Sequence, residues 1–377
     1  MRWPRTLSLY VTREVIAYTL ILIAPIMIVL VARGLLNRLD QLVAAGRMDS
    51  DLLRVAGLIA SMIAIYALPT SFLIGVLLAI GRMAGDVEII AMRACGVGLR
   101  GLLAPIAILG VILSLSTLVL CVEVEPAARR EMAATIRALV MRGASVEPGQ
   151  FNTVGDRTLY IDERLGPRRL RGILISDRTD PKRPLLVFAE IGEMSFDEQR
   201  AELQLSLERG DIHMESGDGK RDADRYQRIG FERLMYKIDV AHMLGRDQPR
   251  PPREMLIAEL REVIARIANG TAGPLRDKPP AYAANFERRY ALPAAPALFA
   301  LLGVPLGMQL KRGARSYGVI VTVILGVVLA LAYYALQSLC ESLATQKGLP
   351  PRLAMWLPNL GLAIVGFALV IRARRSS

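Results

Sequence analysis

Histidine, cysteine and aromatic residues are scarce in this chain: two His, three Cys and 6% Phe, Trp and Tyr among 377 residues. His213 and His242 have no H-E-x-x-H spacing and no clustered cysteines near them, so no metal centre is expected and both read as strand or surface residues. No cysteine falls between Cys121 and Cys340, so a domain formed there is not stapled by disulfides. Cys95, Cys121 and Cys340 read as free thiols, although Cys121 and Cys340 both fall near one boundary of the apolar segments and could meet. There is no G-x-x-x-x-G-K-S/T, which excludes a Walker A phosphate cradle. Gly96-Val97-Gly98-Leu99-Arg100-Gly101 fits G-x-G-x-x-G, but no strand precedes it and an apolar run follows, so the match is a coincidence. No nucleophile, base or ligand set marks an enzyme, and no cofactor is expected.

What the chain does have is apolar residues, at 53%, which excludes a disordered or fibrous protein and argues against a wholly soluble one. A span needs roughly 20 apolar residues, because its backbone must satisfy its own hydrogen bonds. Six stretches qualify: Val15 to Leu36, Val55 to Ile80, Leu99 to Val122, Ala291 to Leu310, Gly318 to Leu339 and Leu353 to Ile371. Pro293, Pro296, Pro305 and Pro358 interrupt two of them, and are tolerated where neighbouring helices take up the freed carbonyls. The first run is too long for a signal-peptide core and is expected to be retained. No Asp, Glu or His lies deep in these stretches, where an ion-coupled carrier would keep one, so energy for transport would enter from another subunit.

The net charge of +12 would suggest nucleic acid if it were spread evenly. It is not: residues 123–290 hold 29 basic and 28 acidic side chains, so almost all the excess lies at the flanks of the apolar segments. Nucleic acid is therefore not an expected partner. With the N-terminus cytoplasmic, the inner flanks carry twelve basic residues and the outer flanks six, namely Arg33, Arg38, Arg47, Arg54, Lys347 and Arg352. That asymmetry places both termini in the cytoplasm and the long central segment outside.

From about Met141 to Val240 the periodicity becomes two-residue, cleanest over Glu202 to Glu208. Further short runs occur at Thr158 to Asp162, Gly172 to Asp177, Leu185 to Ile191, Glu193 to Asp197 and Phe231 to Val240, predicting a small all-β sandwich or open barrel. The Pro-rich Gln248 to Pro252 follows, then an amphipathic helix with Leu256, Leu260, Val263 and Ile267 on one face, read as a packing strut. The predicted organisation is thus spans one to three over 1–122, a β domain with its entry segment over 123–245, a linker and helix over 246–290, and spans four to six over 291–377. The fold class is a helical polytopic membrane protein with an inserted all-β domain.

Between spans two and three, residues 81–96 are too short and too polar to cross. Met83, Val87, Ile90 and Ala94 fall on one predicted helical face and Glu88, Met92 and Cys95 on a second stripe. Such a cytoplasmic helix suits docking into a groove on a partner, or lying on lipid.

The run Asp86-Val87-Glu88-Ile89-Ile90-Ala91-Met92-Arg93-Ala94-Cys95-Gly96 closely resembles the coupling-helix signature of the LptF/LptG permeases of lipopolysaccharide export. Gly149-Gln150-Phe151, Phe286-Glu287-Arg288-Arg289 through Pro305-Leu306-Gly307, Gly313 to Gly318 and the three-span, β, three-span layout add to the resemblance, which covers nearly the whole chain and is more LptF-like than LptG-like. It implies a periplasmic jellyroll-like β domain, an inner-membrane location, an LptG-type partner permease, an LptB-type ATPase dimer, and LptC and LptA as acceptors of lipopolysaccharide. It implies coupling to the ATPase through Asp86, Glu88, Met92 and Arg93, with Glu88 at the family's acidic position. Arg33 and Arg38, at the outer end of span one, become candidates for the lipid's phosphates, which guanidinium groups pair bidentately; otherwise they are interfacial arginines. The competing reading is a membrane-anchored ligand sensor that docks a signalling partner at residues 81–96.

Overall fold

The computed structural model describes residues 5–37, 49–143, 148–149, 151–154, 157–166, 169–179, 184–197, 202–215, 226–239, 250–309 and 317–375. The chain divides into two compact units, one of residues 1–43, 47–135 and 250–377 and the other chiefly of residues 136–249.

The first unit is helical. Its elements are α1 (Arg5–Leu36), α2 (Asp49–Gly85), the short α3 (Glu88–Ala94) and α4 (Leu99–Val119), which a π-helical turn at Leu120–Val124 joins to α5 (Glu125–Gly143), whose residues 136–143 belong to the second unit. After a 3₁₀ turn at Pro252–Glu254 come α6 (Ile257–Ala268), α7 (Pro279–Ala291), a 3₁₀ turn at Leu292–Ala294, α8 (Ala295–Gln309), α9 (Tyr317–Gln346) and α10 (Pro351–Arg375). Six stretches of helix are long and apolar enough to cross a membrane, including Pro279–Gln309, where prolines interrupt the sequence. The second and fourth of these form the packed centre. Adding a Cβ at Gly303 would place it 2.9 Å from Val76, and one at Gly307 would lie 2.9 Å from Ile80. Small residues at this seam let two helices approach closely where lipid supplies no hydrophobic drive.

The break that Pro296 makes in the fourth span is accommodated through a side chain from another helix. In the 3₁₀ turn the N–H of Ala295 bonds to Leu292 O. Ala291 O is thereby left to Asn359 Nδ2 of α10, at 2.7 Å. Tyr333 of α9 donates to Asn359 Oδ1 at 2.9 Å, so one buried amide joins three helices.

The second unit holds a six-stranded antiparallel sheet in which every strand pairs with its sequence neighbours: β1 (Phe151–Val154), β2 (Arg157–Arg164), β3 (Arg169–Asp177), β4 (Leu185–Asp197), β5 (Glu202–Glu215) and β6 (Tyr226–Asp239). The β domain, for which a jellyroll-like fold was expected, is therefore a single-sheet meander, with no crossover of the Greek-key kind among the described strands. The two runs predicted at 185–191 and 193–197 are one strand. Gly192 between them is buried, and a Cβ there would stand 2.4 Å from Ile173 Cδ1, so its glycine serves close packing and makes no turn.

One face of the sheet buries Leu159, Ile161, Ile173, Ile175, Val187, Ala189, Leu205 and Leu207. The inward phase reverses along a line crossing the strands, from Ile173 to Leu170, Ala189 to Gly192 and Leu207 to Ile212, while the pairing register stays constant. Gly172 and Arg209, on that line, have φ of 63° and 54°. Strands that all reverse at one level keep their ladder, since no strand gains an unpaired extra residue over its neighbour. At the sheet's other end Asp177 accepts from Arg157 Nε at 2.8 Å, from Thr179 N at 2.9 Å and from the Tyr236 hydroxyl. Burial raises the Asp177 pKa, but these hydrogen bonds outweigh it and hold the carboxyl well below the usual range. Burial and the Asp177 charge push Tyr236 up to about 12.

Candidate functional site

The helix predicted from residues 81–96 exists but starts late. α2 runs on to Gly85, a two-residue turn follows, and α3 begins only at Glu88. Val87 makes that turn with φ 62°, a left-handed conformation costly for a β-branched residue. The turn breaks the helical phase, so the predicted grouping of Met83 with Val87, Ile90 and Ala94 does not form. Met83 and Ile89 are buried and Met92 packs partly buried against the same core, whereas Val87, Ile90, Ala91 and Ala94 face outward. The outward surface is apolar: Val87 is 54% and Ile90 64% exposed.

The four residues expected to couple have different surroundings. Asp86 is exposed and lies 3.1 Å from Arg82 Nη1. Glu88 accepts from Arg82 Nη1 at 3.3 Å and from the Tyr10 hydroxyl at 3.0 Å. Met92 turns inward, and Arg93 is half-buried with its Nε enclosed and without a hydrogen-bond partner. Arg82 also donates to Tyr10 OH at 2.8 Å and stands 2.9 Å from Glu14 Oε1. Neither Tyr10 nor Glu14 stands out in the sequence, because nothing near either of them announces Arg82, 72 positions on from Tyr10.

Arg33 is exposed in the last turn of α1. Arg38 lies outside the described residues, as do His242, Gln150 and 310–316, so Arg33 and Arg38 are not brought together by any described contact. His213 lies on β5 with its ring edge-on to Phe188 at 5.2 Å. Cys121 and Cys340 are buried free thiols in different apolar clusters.

A second charged centre was not anticipated. Glu125, at the first turn beyond the π-helical turn, is 2% exposed. Arg129 Nη2 donates to its Oε1 at 2.8 Å, and Arg288 Nη1 stands 3.5 Å from its Oε2. Arg288, itself buried, also donates to the Tyr66 hydroxyl and lies over the Tyr66 ring at 5.9 Å. Arg289 donates to the carbonyls of Pro252 at 3.1 Å and Met255 at 2.6 Å, and Arg130 to Glu254 O at 2.6 Å. These guanidinium groups thus cap the carbonyls of the 3₁₀ turn that leads into α6. Glu259, paired with Arg130, also accepts the N–H of Leu256 at 2.9 Å, closing the start of α6. The sequence signal available was the pair Arg288-Arg289 immediately before an apolar run, with two acids closing another. Among the described residues, no group of His, Cys, Asp and Glu has a metal-binding arrangement.

The sequence profile described as lipopolysaccharide export system permease LptF/LptG matches residues 9–372. No individually curated protein matches the chain significantly. The match spans all six apolar helices, α3 and the whole β sheet, so this chain belongs to the LptF/LptG family and is a multi-pass permease of the lipopolysaccharide-exporting ABC transporter.

Proposed function

We propose that the chain pairs with a second, LptG-type permease and is driven by a dimer of LptB-type ATPase subunits, one of which docks on α3. The observation carrying this is the surface of α3: exposed Val87 and Ile90 beside the acidic Glu88, on a seven-residue helix joining two spans. Apolar anchors with an adjacent charge are what a helix laid into a partner's groove requires. A second permease would cover α1 and α9, whose span windows are only 11% and 22% buried against 72% for the second span.

In this reading both termini are cytoplasmic, the membrane is the inner one, and the β unit is periplasmic. Lipopolysaccharide enters the space between the permeases from the outer leaflet, with Arg33 and Arg38 taking its phosphates. ATP-driven closure squeezes it out. It then travels along the apolar face of the sheet to LptC and LptA, whose strands would add to an open edge at β1 or β6.

Photocrosslinkers at positions 33 and 38 are expected to capture lipopolysaccharide only when the ATPase cycles. Capture that ignores the ATPase would overturn the assignment. Glu88→Arg is expected to release the co-purifying ATPase; retention of a kinase or cyclase instead would favour a sensor.

A further inference from the structure

We infer that Arg82 is a positioning residue that transmits movement of α3 to the first span. This inference rests on the proposed docking of an ATPase at α3. Arg82, Glu88 and Tyr10 close a ring of three hydrogen bonds: Arg82 Nη1 to Glu88 Oε1 at 3.3 Å, Tyr10 OH to Glu88 Oε2 at 3.0 Å, and Arg82 Nη2 to Tyr10 OH at 2.8 Å. Asp86 accepts from the same guanidinium at 3.1 Å, and Glu14 stands 2.9 Å from its Nε as an ion pair without hydrogen-bond alignment. One side chain at the end of α2 therefore holds the first span, through Tyr10 and Glu14, and α3, through Glu88.

Apolar packing also joins these segments, since Val11, Val15 and Ile89 share one core. Such packing is non-directional and can slide. A planar guanidinium fixes direction as well as distance, because its donors point along set lines. The ring also leaves charge for a partner. One guanidinium faces three carboxylates, Glu14, Asp86 and Glu88, so a basic side chain from the ATPase joins the cluster at its acidic rim without displacing Arg82. Force applied at Glu88 then reaches Tyr10 directly. The span it enters carries Arg33 in its last turn.

The test uses the complete reconstituted transporter, with lipopolysaccharide released per ATP hydrolysed as readout. Tyr10→Phe removes only the ring's hydroxyl, and Glu14→Gln only a charge. Both variants and Arg82→Gln are expected to retain the ATPase and its hydrolysis while yield per ATP falls at least about 5-fold, the lower range of site-to-site coupling. Arg82→Lys, with charge but no fork, is expected between Arg82→Gln and the wild type. Wild-type yield in both Tyr10→Phe and Glu14→Gln overturns the inference. So does loss of the ATPase from Arg82→Gln, which would make Arg82 a docking residue. A wild-type complex that retains no ATPase sinks the docking proposal instead, so the two failures are distinguishable.

Discussion

Glu125→Gln is expected to destabilise the helical unit by about 3 kcal/mol, the cost of breaking a buried ion pair from one side. The magnitude follows from the surroundings. Arg288 and Glu125 side chains are 4% and 2% exposed, and their nearest charged atoms are 3.5 Å apart. At an effective dielectric constant of about 20 that separation gives roughly 5 kcal/mol of attraction. Glutamine keeps the shape and an acceptor for Arg129, so little packing is lost. What remains is Arg288 next to Arg289, two buried guanidinium groups without the carboxylate that Arg288 pairs with among the described residues. Desolvation of the charge on Glu125 is relieved at the same time, which brings the net figure below the full attraction. For a unit of this size the change corresponds to a fall in Tm of roughly 6–12 °C. The assay is thermal unfolding of the detergent-purified protein, with Arg288→Met and the double variant Glu125→Leu/Arg288→Met completing the cycle. Replacing both charges by apolar groups is expected to recover most of the loss. A Glu125→Gln protein melting within a degree of wild type, or a double variant worse than both singles, would refute the reasoning.

Two other perturbations probe other parts of the molecule. Asn359→Leu removes the side chain that takes up Ala291 O and is expected to cost about 1–3 kcal/mol, read as a lower Tm and as faster amide exchange around Ala295. The Asp177 cluster makes the β unit pH-sensitive at both ends: Asp177 is depressed, so its contribution is present above the unfolded pKa near 4 and is lost as pH falls below it. Tyr236 is raised to about 12, so its contribution is complete below the unfolded pKa near 10 and is lost as pH rises through 12. Far-UV melts of the wild type and Asp177→Asn should converge at low pH and separate near neutrality; parallel curves at every pH would contradict this.

The periodicity of the sequence made the architecture legible because a membrane and a half-buried sheet impose different repeats. Leu203, Leu205 and Leu207 alternate with polar residues, and no comparable alternation occurs in the spans. What escaped depended on distance in three dimensions. Glu125 was not singled out, since nothing in its neighbourhood in sequence announces Arg288 or Tyr66. Gly192 looked like a break because a glycine chosen for a neighbour's side chain is written the same way as one chosen for a turn. The faces of α3 were misassigned for a related reason. A helical wheel drawn through Val87 assumes continuous rotation, and one left-handed residue resets it. Glu88 could be singled out from the sequence as a candidate, but its hydrogen-bond partners Tyr10 and Arg82 could not.

Val87 bears on how anything pulled at α3 behaves. Joints meant to flex commonly use glycine, which enters the left-handed region without penalty. Valine held there costs on the order of 1–3 kcal/mol, and persists only because the surroundings over-determine it. The elbow between α2 and α3 is held by backbone hydrogen bonds on either side, Val87 N to Ala84 O at 3.3 Å and Ala91 N to Val87 O at 3.0 Å, and by Arg82 reaching across it to Glu88 at 3.3 Å. Torque delivered to the short helix is conducted into the long one, with little of it dissipated as bending at the corner.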